Sequence, residues 1–275
     1  MQSRLTPSRV ADNHDLRSQF MRYLIATPSD VPRSGIDSAP QRLLVQFWDD
    51  AKAIPEDVQA CLDSWAPLEF AGFDRVLFDD DSARLFIGAH CDNRHLHAFE
   101  RCHHPAMRAD YFRLCFVLRC GGLYVDADDE YQGGGIEPLF GDGRLKLQAL
   151  CYDTATDSMV DVAQSLKHVA KAERIFYVNN NPLVAAPGHP VIAAALERST
   201  AQLLKADAAN RDVQSLTGPG NLTASLVAHA AQLLKDGAAW DFEVLTNWDA
   251  VAKSKWPLAY RADARNWRNW VRDEY

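Results

Sequence analysis

Residues 105–128 read PAMRADYFRLCFVLRCGGLYVDAD, a passage with the pattern of a helix, a sharp reversal and a strand. Pro105 suits the first turn of a helix, where an amide hydrogen is not needed. Apolar residues then recur at helical spacing, at Met107, Tyr111, Leu114 and Leu118. Gly121 and Gly122 predict the end of that helix, because glycine adopts left-handed backbone angles without a Cβ penalty. The next residues, Leu123–Val125, predict a short buried strand.

Similar elements lie on both sides of this passage. Upstream, apolar runs over residues 42–48 and 73–81 predict strands, with a helix over Pro55–Trp65 between them and partly helical sequence over 82–102. Strand, helix and strand in succession predict an α/β sheet.

Downstream, RIFYVNNNPLVAAPG (174–188) predicts one or two strands around an Asn-rich turn. Helices are expected over about 190–206 and over 222–234, the second after a TGPG turn at 217–220. FEVLT (242–246) is expected to be the last strand.

The chain has 275 residues, 47% of them apolar, which suits one large domain with a full hydrophobic core. Residues 1–40 are predicted to be an N-terminal extension, with a short helix over Leu16–Ile25 and a Pro- and Ser-rich linker over 27–40. Residues 41–275 are predicted to form the α/β domain, whose C-terminal part is helical.

Charge and cysteine content limit the function classes. Lys and Arg total 29 against 37 Asp and Glu, a net charge of −8, which argues against a nucleic-acid partner. Six irregularly spaced cysteines do not form a disulfide framework, and no stretch has the length of a membrane span or the pattern of a secretion signal. We therefore expect a cytoplasmic protein.

The tail NWRNWVRDEY (266–275) allows two interpretations. Its tryptophans and arginines are typical of a peripheral membrane or partner surface, which would place the protein at the cytoplasmic membrane face. They equally fit a helix that packs against the domain.

Two carboxylates follow the predicted strand at Leu123–Val125. Asp126 and Asp128 alternate along an extended backbone, so they face the same side and repel each other unless a cation lies between them. An all-oxygen site favours Mn²⁺ or Mg²⁺, which would neutralise a departing pyrophosphate. Asp110 and Arg113, three apart on the preceding helix, share a face near this site. A solvated acidic turn and a surface ion pair are the alternatives.

Residues 108–128 resemble the signature of the DxD sugar transferases of glycosyltransferase family 32, which includes Och1-type mannosyltransferases and bacterial capsule or lipopolysaccharide transferases. They also resemble the catalytic domain of the large clostridial glucosylating toxins. The matching positions are Asp110, Arg113, Gly121, Gly122, Tyr124, Asp126 and Asp128. One departure is Ala109, where many members have Ser. VQFW (45–48), NNNPLVAAPGHP (179–190) and TGPGNLT (217–223) resemble further family segments in the same order.

This resemblance implies a GT-A fold, a nucleotide-sugar-binding, Rossmann-like mixed sheet flanked by helices, with bound Mn²⁺ or Mg²⁺. It implies a retaining hexosyltransferase that moves a sugar from a UDP- or GDP-sugar to a glycan, lipid-linked or protein acceptor, as in polysaccharide biosynthesis.

The resemblance also implies residue roles. Asp128 would contact the metal directly and Asp126 through the ribose or a metal-bound water, while Asp110 and Arg113 would bind sugar hydroxyls and Trp48 would stack on the base. The other implied donor-binding positions are Gln46, Gly122, Tyr124, Asn181, Ser254 and Trp256. The last two lie in Ser254-Lys255-Trp256, which resembles a C-terminal loop of the toxins.

That loop carries a departure from the family. The acidic metal ligand expected three residues before the Ser is replaced by Val251, for which Asp249 is a possible substitute.

Three other interpretations remain open from the residues. A strand ending in D-x-D also opens haloacid-dehalogenase-type phosphohydrolase sites, although those place the motif early and have Thr or Val where this chain has Glu130. A catalytically silent nucleotide-sugar-binding protein would share the same fold. The third interpretation is a zinc site, because Cys and His are the usual zinc ligands and they crowd one stretch, although their spacing follows no familiar zinc pattern. These residues are His90, Cys91, His95, His97, Cys102, His103 and His104.

Overall fold

The computed structural model describes residues 6–27, 39–167, 173–205, 210 and 212–272. The α-helices in these ranges are α1 (Pro7–Asp12), α2 (His14–Ala26), α3 (Glu56–Ser64), α4 (Pro67–Phe70), α5 (Asp80–His90), α6 (Asn93–Glu100), α7 (Pro105–Cys120), α8 (Val162–Lys167), α9 (Pro190–Lys205), α10 (Val213–Leu216), α11 (Pro219–Asp236) and α12 (Trp267–Arg272). The strands are β1 (Leu43–Phe47), β2 (Asp74–Phe78), β3 (Gly122–Tyr124), β4 (Asp129–Tyr131), β5 (Leu145–Asp153), β6 (Ser158–Val160), β7 (Arg174–Ala185), β8 (Phe242–Leu245) and β9 (Ala252–Ser254). Short 3-10 helices span Glu137–Phe140, Trp248–Ala250 and Ala259–Ala262.

A mixed sheet forms the centre of the molecule, with strand order β2-β1-β3-β7-β5-β6 and β8 beside β5. β1 is parallel to both β2 and β3, whereas β7 is antiparallel to β3 and to β5. β4 and β9 form a separate antiparallel pair. The predicted α/β class, a mixed sheet flanked by helices, is confirmed.

Side chains of the central strands alternate between two apolar layers, as strand geometry requires. Val45 and Tyr124 face the larger core, which contains residues of α1, α2, α5 to α7 and α9 to α11. Leu44 and Leu123 face a smaller core formed around Trp65. Both faces of the sheet are therefore covered.

Helix α7 and strand β3 meet at two glycines that have left-handed backbone angles. Gly121 has φ +69° and Gly122 has φ +97°. A Cβ atom on Gly122 would lie 2.6 Å from the carbonyl oxygen of Leu43, and one on Gly121 would lie 2.7 Å from that of Ala185. These glycines let the chain reverse tightly between β1 and β7, which fixes where the residues after β3 emerge.

The N-terminal helices pack directly on the domain. Val10 and Met21 are fully buried in the larger core. Ser18 Oγ donates to the carbonyl of Arg174 (3.3 Å) and accepts from the amide of Phe176 (2.9 Å), which ties α2 to the start of β7. The predicted linker over 27–40 lies mostly outside the described residues.

Most predicted elements are confirmed with small changes of boundary, and two predictions are wrong. Residues 174–185 form one continuous strand without a turn, because β5 pairs with both ends of this segment. β8 is not the last strand, since Ala252–Ser254 pairs with Asp129–Tyr131 directly after the acidic motif. Nothing in the sequence pattern of those three-residue strands distinguishes them from loop.

Candidate active site

The candidate site lies at the carboxyl ends of two parallel strands. Trp48 follows β1 and Asp126 follows β3 at the same edge of the sheet, because β1 and β3 are parallel neighbours. Antiparallel β7 brings Asn179–Asn181 to this edge, since its Leu183 pairs with Tyr124. A cavity of about 590 Å³ opens here and is lined by Asp110, Arg113, Asp126 and Asp128, as well as by Trp48 and Asn181. The structure thus brings together the four predicted catalytic residues.

Arg113 is at the centre of a buried hydrogen-bond network. Its Nη2 lies 2.8 Å from Asp126 Oδ1 and 3.0 Å from Asp110 Oδ1, and its Nη1 donates to the carbonyl of Asn180 (2.8 Å). The guanidinium also lies over the ring of Tyr124, 4.3 Å from its centre. With a side chain only 3% exposed, Arg113 orients the two aspartates and presents almost no surface of its own to the cavity.

Asp110 is a buried acid with several donors. Asn180 Nδ2 donates to its Oδ1 (2.7 Å) and Thr217 Oγ1 to its Oδ2 (3.3 Å). Burial raises the pKa of Asp110 to about 6, while the positive charge of Arg113 opposes that rise. Asp110 therefore titrates closer to neutrality than an ordinary aspartate.

Asn181 joins the DxD motif to a third aspartate that the sequence reasoning did not select. Its Oδ1 accepts from the amide of Asp126 (3.1 Å), and its Nδ2 donates to Asp129 Oδ2 (2.9 Å). Burial, followed by the charges of Asp128 and Asp126, raises the pKa of Asp129 well above its usual value. The position of Asp129 directly after the motif was a signal in the sequence. Its hydrogen bond with Asn181, however, depends on β7 lying beside the motif loop.

The two motif aspartates have different surroundings. Asp126 is held on one side by Arg113, and its side chain is 33% exposed toward the cavity. Asp128 Oδ2 instead accepts from Tyr260 Oη (2.6 Å) and forms an ion pair with Arg261. Both partners come from the far end of the chain, so sequence spacing gave no indication of them.

Trp48 packs at the cavity wall against the C-terminal part of the chain. Tyr260 meets its ring edge-on at 5.2 Å, and the guanidinium of Arg265 lies 5.5 Å from the ring centre. Its Nε1 is buried and has no hydrogen-bond partner among the described residues. The predicted position of Trp48 beside the ligand space is consistent with this placement; stacking on a base stays a prediction.

Three predicted donor-binding residues lie behind the cavity wall and do not line it. Gln46 is buried and donates to the carbonyl of Asp126 (3.4 Å). Tyr124 is fully buried under Arg113, and Gly122 packs against β1. These residues support the motif loop from beneath.

The predicted C-terminal loop does reach the cavity. Ser254 ends β9, and Trp256, which is largely exposed, stacks under Arg261 with the guanidinium 3.4 Å from its ring centre. Asp249 also lines the cavity and accepts from Gln148 (3.2 Å).

The carboxylate oxygens at the site fit a hard divalent cation whose coordination is completed by water and by phosphates of the bound ligand. Asp126 and Asp128 supply carboxylate oxygens, as Mn²⁺ and Mg²⁺ prefer. In the described part of the chain, no three His, Cys, Asp or Glu side chains are grouped to hold a metal ion. Magnesium sites commonly have one or two carboxylates plus water and substrate phosphates, and two aspartates satisfy that pattern.

The Cys- and His-rich stretch is dispersed in the structure. His95 faces Asp92 and Glu197, Cys102 is in the core, and His104 caps α7 through the amide of Ala106. His95, Cys102 and His104 therefore have structural roles, and no three of the described Cys and His side chains in this stretch are grouped to hold a metal ion.

Helix α12, in the described part of the C-terminal tail, packs on the domain. Trp267 and Trp270 both contact the larger core, and the Trp270 ring lies 5.0 Å from that of His104. Within the described residues, no helix combines the length and apolar character needed to cross a membrane.

Comparisons with known proteins found matches among solved structures. No protein-family model matches the sequence, and no curated protein matches it. Among solved structures, the chain is similar to one described as PaToxG Glycosyltransferase, with 15% identity, coverage of 95% of this chain and 94% of that one, and a TM-score of 0.48. The residues of the cavity therefore carry the functional proposal.

Proposed function

We propose that this protein is a metal-dependent, retaining glycosyltransferase of the GT-A type. Its donor is a nucleotide-diphosphate sugar, UDP- or GDP-linked, and its acceptor is a glycan, a lipid-linked intermediate or a protein. The main support is the pair Asp126 and Asp128, which lines a cavity at the carboxyl ends of parallel strands, with Asp126 held from behind by Arg113. Ligands of α/β sheets bind at such edges.

The charges of the site suit a diphosphate leaving group. Asp128 and Asp126 would hold Mn²⁺ or Mg²⁺, which neutralises charge on a departing diphosphate when bound. Arg113 keeps Asp126 and Asp110 in fixed positions, so their oxygens are preorganised toward the ligand. Trp256 is largely exposed at the cavity and provides a surface for a base, while Trp48 lines the same cavity with only 7% of its surface exposed.

The reaction needs no side chain as a general base. In a retaining transfer, the acceptor hydroxyl attacks the anomeric carbon from the face of the leaving group. The bond from that carbon to the diphosphate oxygen breaks, and the acceptor proton passes to the same oxygen. Arg113 is suited to positioning, because a guanidinium hardly deprotonates.

The experiment is a screen of UDP-glucose, UDP-galactose, UDP-GlcNAc and GDP-mannose with Mn²⁺, in which release of free sugar is followed by NMR. We expect slow hydrolysis of one donor, with the α-anomer appearing first. Asp128→Ala should abolish this hydrolysis, because Asp128 is a proposed metal ligand. The matched control is Asp81→Ala, which removes an exposed carboxylate outside the cavity and should leave the rate unchanged.

Two outcomes would contradict the proposal. Release of phosphate from unrelated phosphate esters would indicate a phosphohydrolase. Binding of a nucleotide sugar with no turnover, in the presence of metal and candidate acceptors, would indicate a silent binding protein.

A further inference from the structure

The cavity lining combines acidic and basic side chains. Its acidic wall comes from the strand ends and α7, with Asp110, Asp126 and Asp128. Its basic wall comes from residues 255–268, which we name the C-terminal segment. This segment contributes three arginines to the cavity: Arg261, Arg265 and Arg268. A ligand in the cavity would meet both carboxylates and guanidinium groups.

Arg261 connects the two walls. It forms an ion pair with Asp128 Oδ2, and its Nη2 also donates to Ser254 Oγ (3.3 Å). The side chains of Arg261 and Asp128 are each only 12% exposed. Arg261 Nε is buried without a hydrogen-bond partner among the described residues, so this guanidinium still has donor capacity.

The contact with Arg261 conflicts with metal binding at Asp128. Tyr260 and Arg261 both use the oxygen Oδ2, and a divalent cation on that carboxylate would be placed close to the guanidinium. Repulsion between like charges is strong at short range in a partly buried site. A cation bound to Asp128 therefore weakens this ion pair and favours an anion of the ligand as the new partner of Arg261.

We propose that Arg261 is a donor-binding residue that exchanges Asp128 for the diphosphate of the nucleotide sugar. In the donor-free protein it is the counterion of Asp128; with cation and donor bound, it pairs with phosphate oxygens instead. Arginine suits this exchange, because its planar fork matches carboxylate and phosphate geometry alike. The inference rests on the proposed function and adds a residue to its site.

The backbone around Arg261 is anchored independently of Asp128. Leu258 is buried against Trp48 and Ala127, and the amide of Ala259 donates to Asp57 Oδ2 (2.6 Å). Asn266 Nδ2 donates to the carbonyl of Arg261 itself (2.8 Å). Because these contacts hold the C-terminal segment in place, the exchange needs only rotation of the Arg261 side chain.

The test measures two affinities by isothermal titration calorimetry: that of MnCl₂ for the free protein, and that of UDP or GDP in saturating Mn²⁺. Arg261→Gln should bind Mn²⁺ more tightly, because Asp128 loses its competing counterion. The same variant should bind the nucleoside diphosphate more weakly, on the order of ten-fold or more for a lost charged hydrogen bond. Arg261→Lys should restore part of the diphosphate affinity. The matched control is Arg84→Gln, which removes an exposed arginine paired with Glu100 away from the cavity.

The opposite signs of these two changes are the decisive result. The inference fails if Arg261→Gln alters neither affinity, since Arg261 then contributes to neither ligand. It also fails if the variant lowers both affinities together, since the role of Arg261 is then structural. Arg261→Lys keeps the charge but loses the planar fork, so it should shift both affinities in the same two directions as Arg261→Gln by a smaller amount, which tests the inference should the Gln variant not fold. If the wild-type protein binds neither UDP nor GDP with Mn²⁺, the proposed function fails as well; if it binds one and Arg261→Gln binds it equally, only the role of Arg261 is overturned.

Discussion

Burial and the charge of Arg113 shift the pKa of Asp110 in opposite directions, and the net shift makes its charge depend on pH near neutrality. Burial raises its pKa to about 6, whereas Arg113 favours the charged form. In the unfolded chain the pKa returns to about 4. Between these values the folded state binds more protons than the unfolded state, so the free energy of unfolding falls as pH rises.

This linkage can be measured with Asp110→Asn, which keeps the shape and removes the titration. From pH 5.0 to 7.5 the wild-type protein should lose on the order of 1 kcal/mol of stability relative to the variant. Urea unfolding at both pH values gives the difference. Asp81→Asn, an exposed change, should follow the wild-type profile; parallel profiles for wild type and Asp110→Asn would show that burial does not shift this group.

At the scale of elements, the junction between α7 and β3 decides where the acidic motif emerges. Gly122→Ala would place a Cβ 2.6 Å from the Leu43 carbonyl oxygen at φ +97°. We expect a loss of about 1–3 kcal/mol in unfolding free energy, together with weaker Mn²⁺ binding because the motif loop is displaced. Gly141→Ala is the matched control, since its nearest neighbour lies at 3.6 Å and its φ is −73°. Unchanged melting temperature and Mn²⁺ affinity in Gly122→Ala would contradict this account.

Elements with local signals were predictable from the sequence. Helix α7 and strand β3 follow from apolar spacing and paired glycines, and Asp126 and Asp128 follow from their position after a strand. The contacts that Asn180, Asn181 and Arg261 make in the site were not predictable, because they depend on strand register and on chain reversals. Arg261 lies 133 residues from Asp128 along the chain, and no local pattern encodes a pairing over that distance.

At the scale of the whole molecule, the N-terminal helices are integral to the core. Met21 is fully buried on α2, so Met21→Ala should lower the free energy of unfolding by about 2–5 kcal/mol through the cavity that it leaves. Gln19→Ala changes an exposed position on the same helix and should cost little. Thermal unfolding of both variants tests this. Equal melting temperatures would mean that α2 contributes little to the stability of the domain.

The bonds between Ser18 and the first residues of β7 also bear on how the chain is made. Ser18 and Arg174 are separated by 156 residues, so α2 leaves the ribosome long before its partner strand exists. Throughout that interval Val10, Met21 and Leu24 have no core to enter. Apolar surface exposed during synthesis is what chaperones recognise and what aggregation exploits. Helices α1 and α2 can complete their packing only after β7 has been synthesised, and slower translation would lengthen the period in which they are exposed.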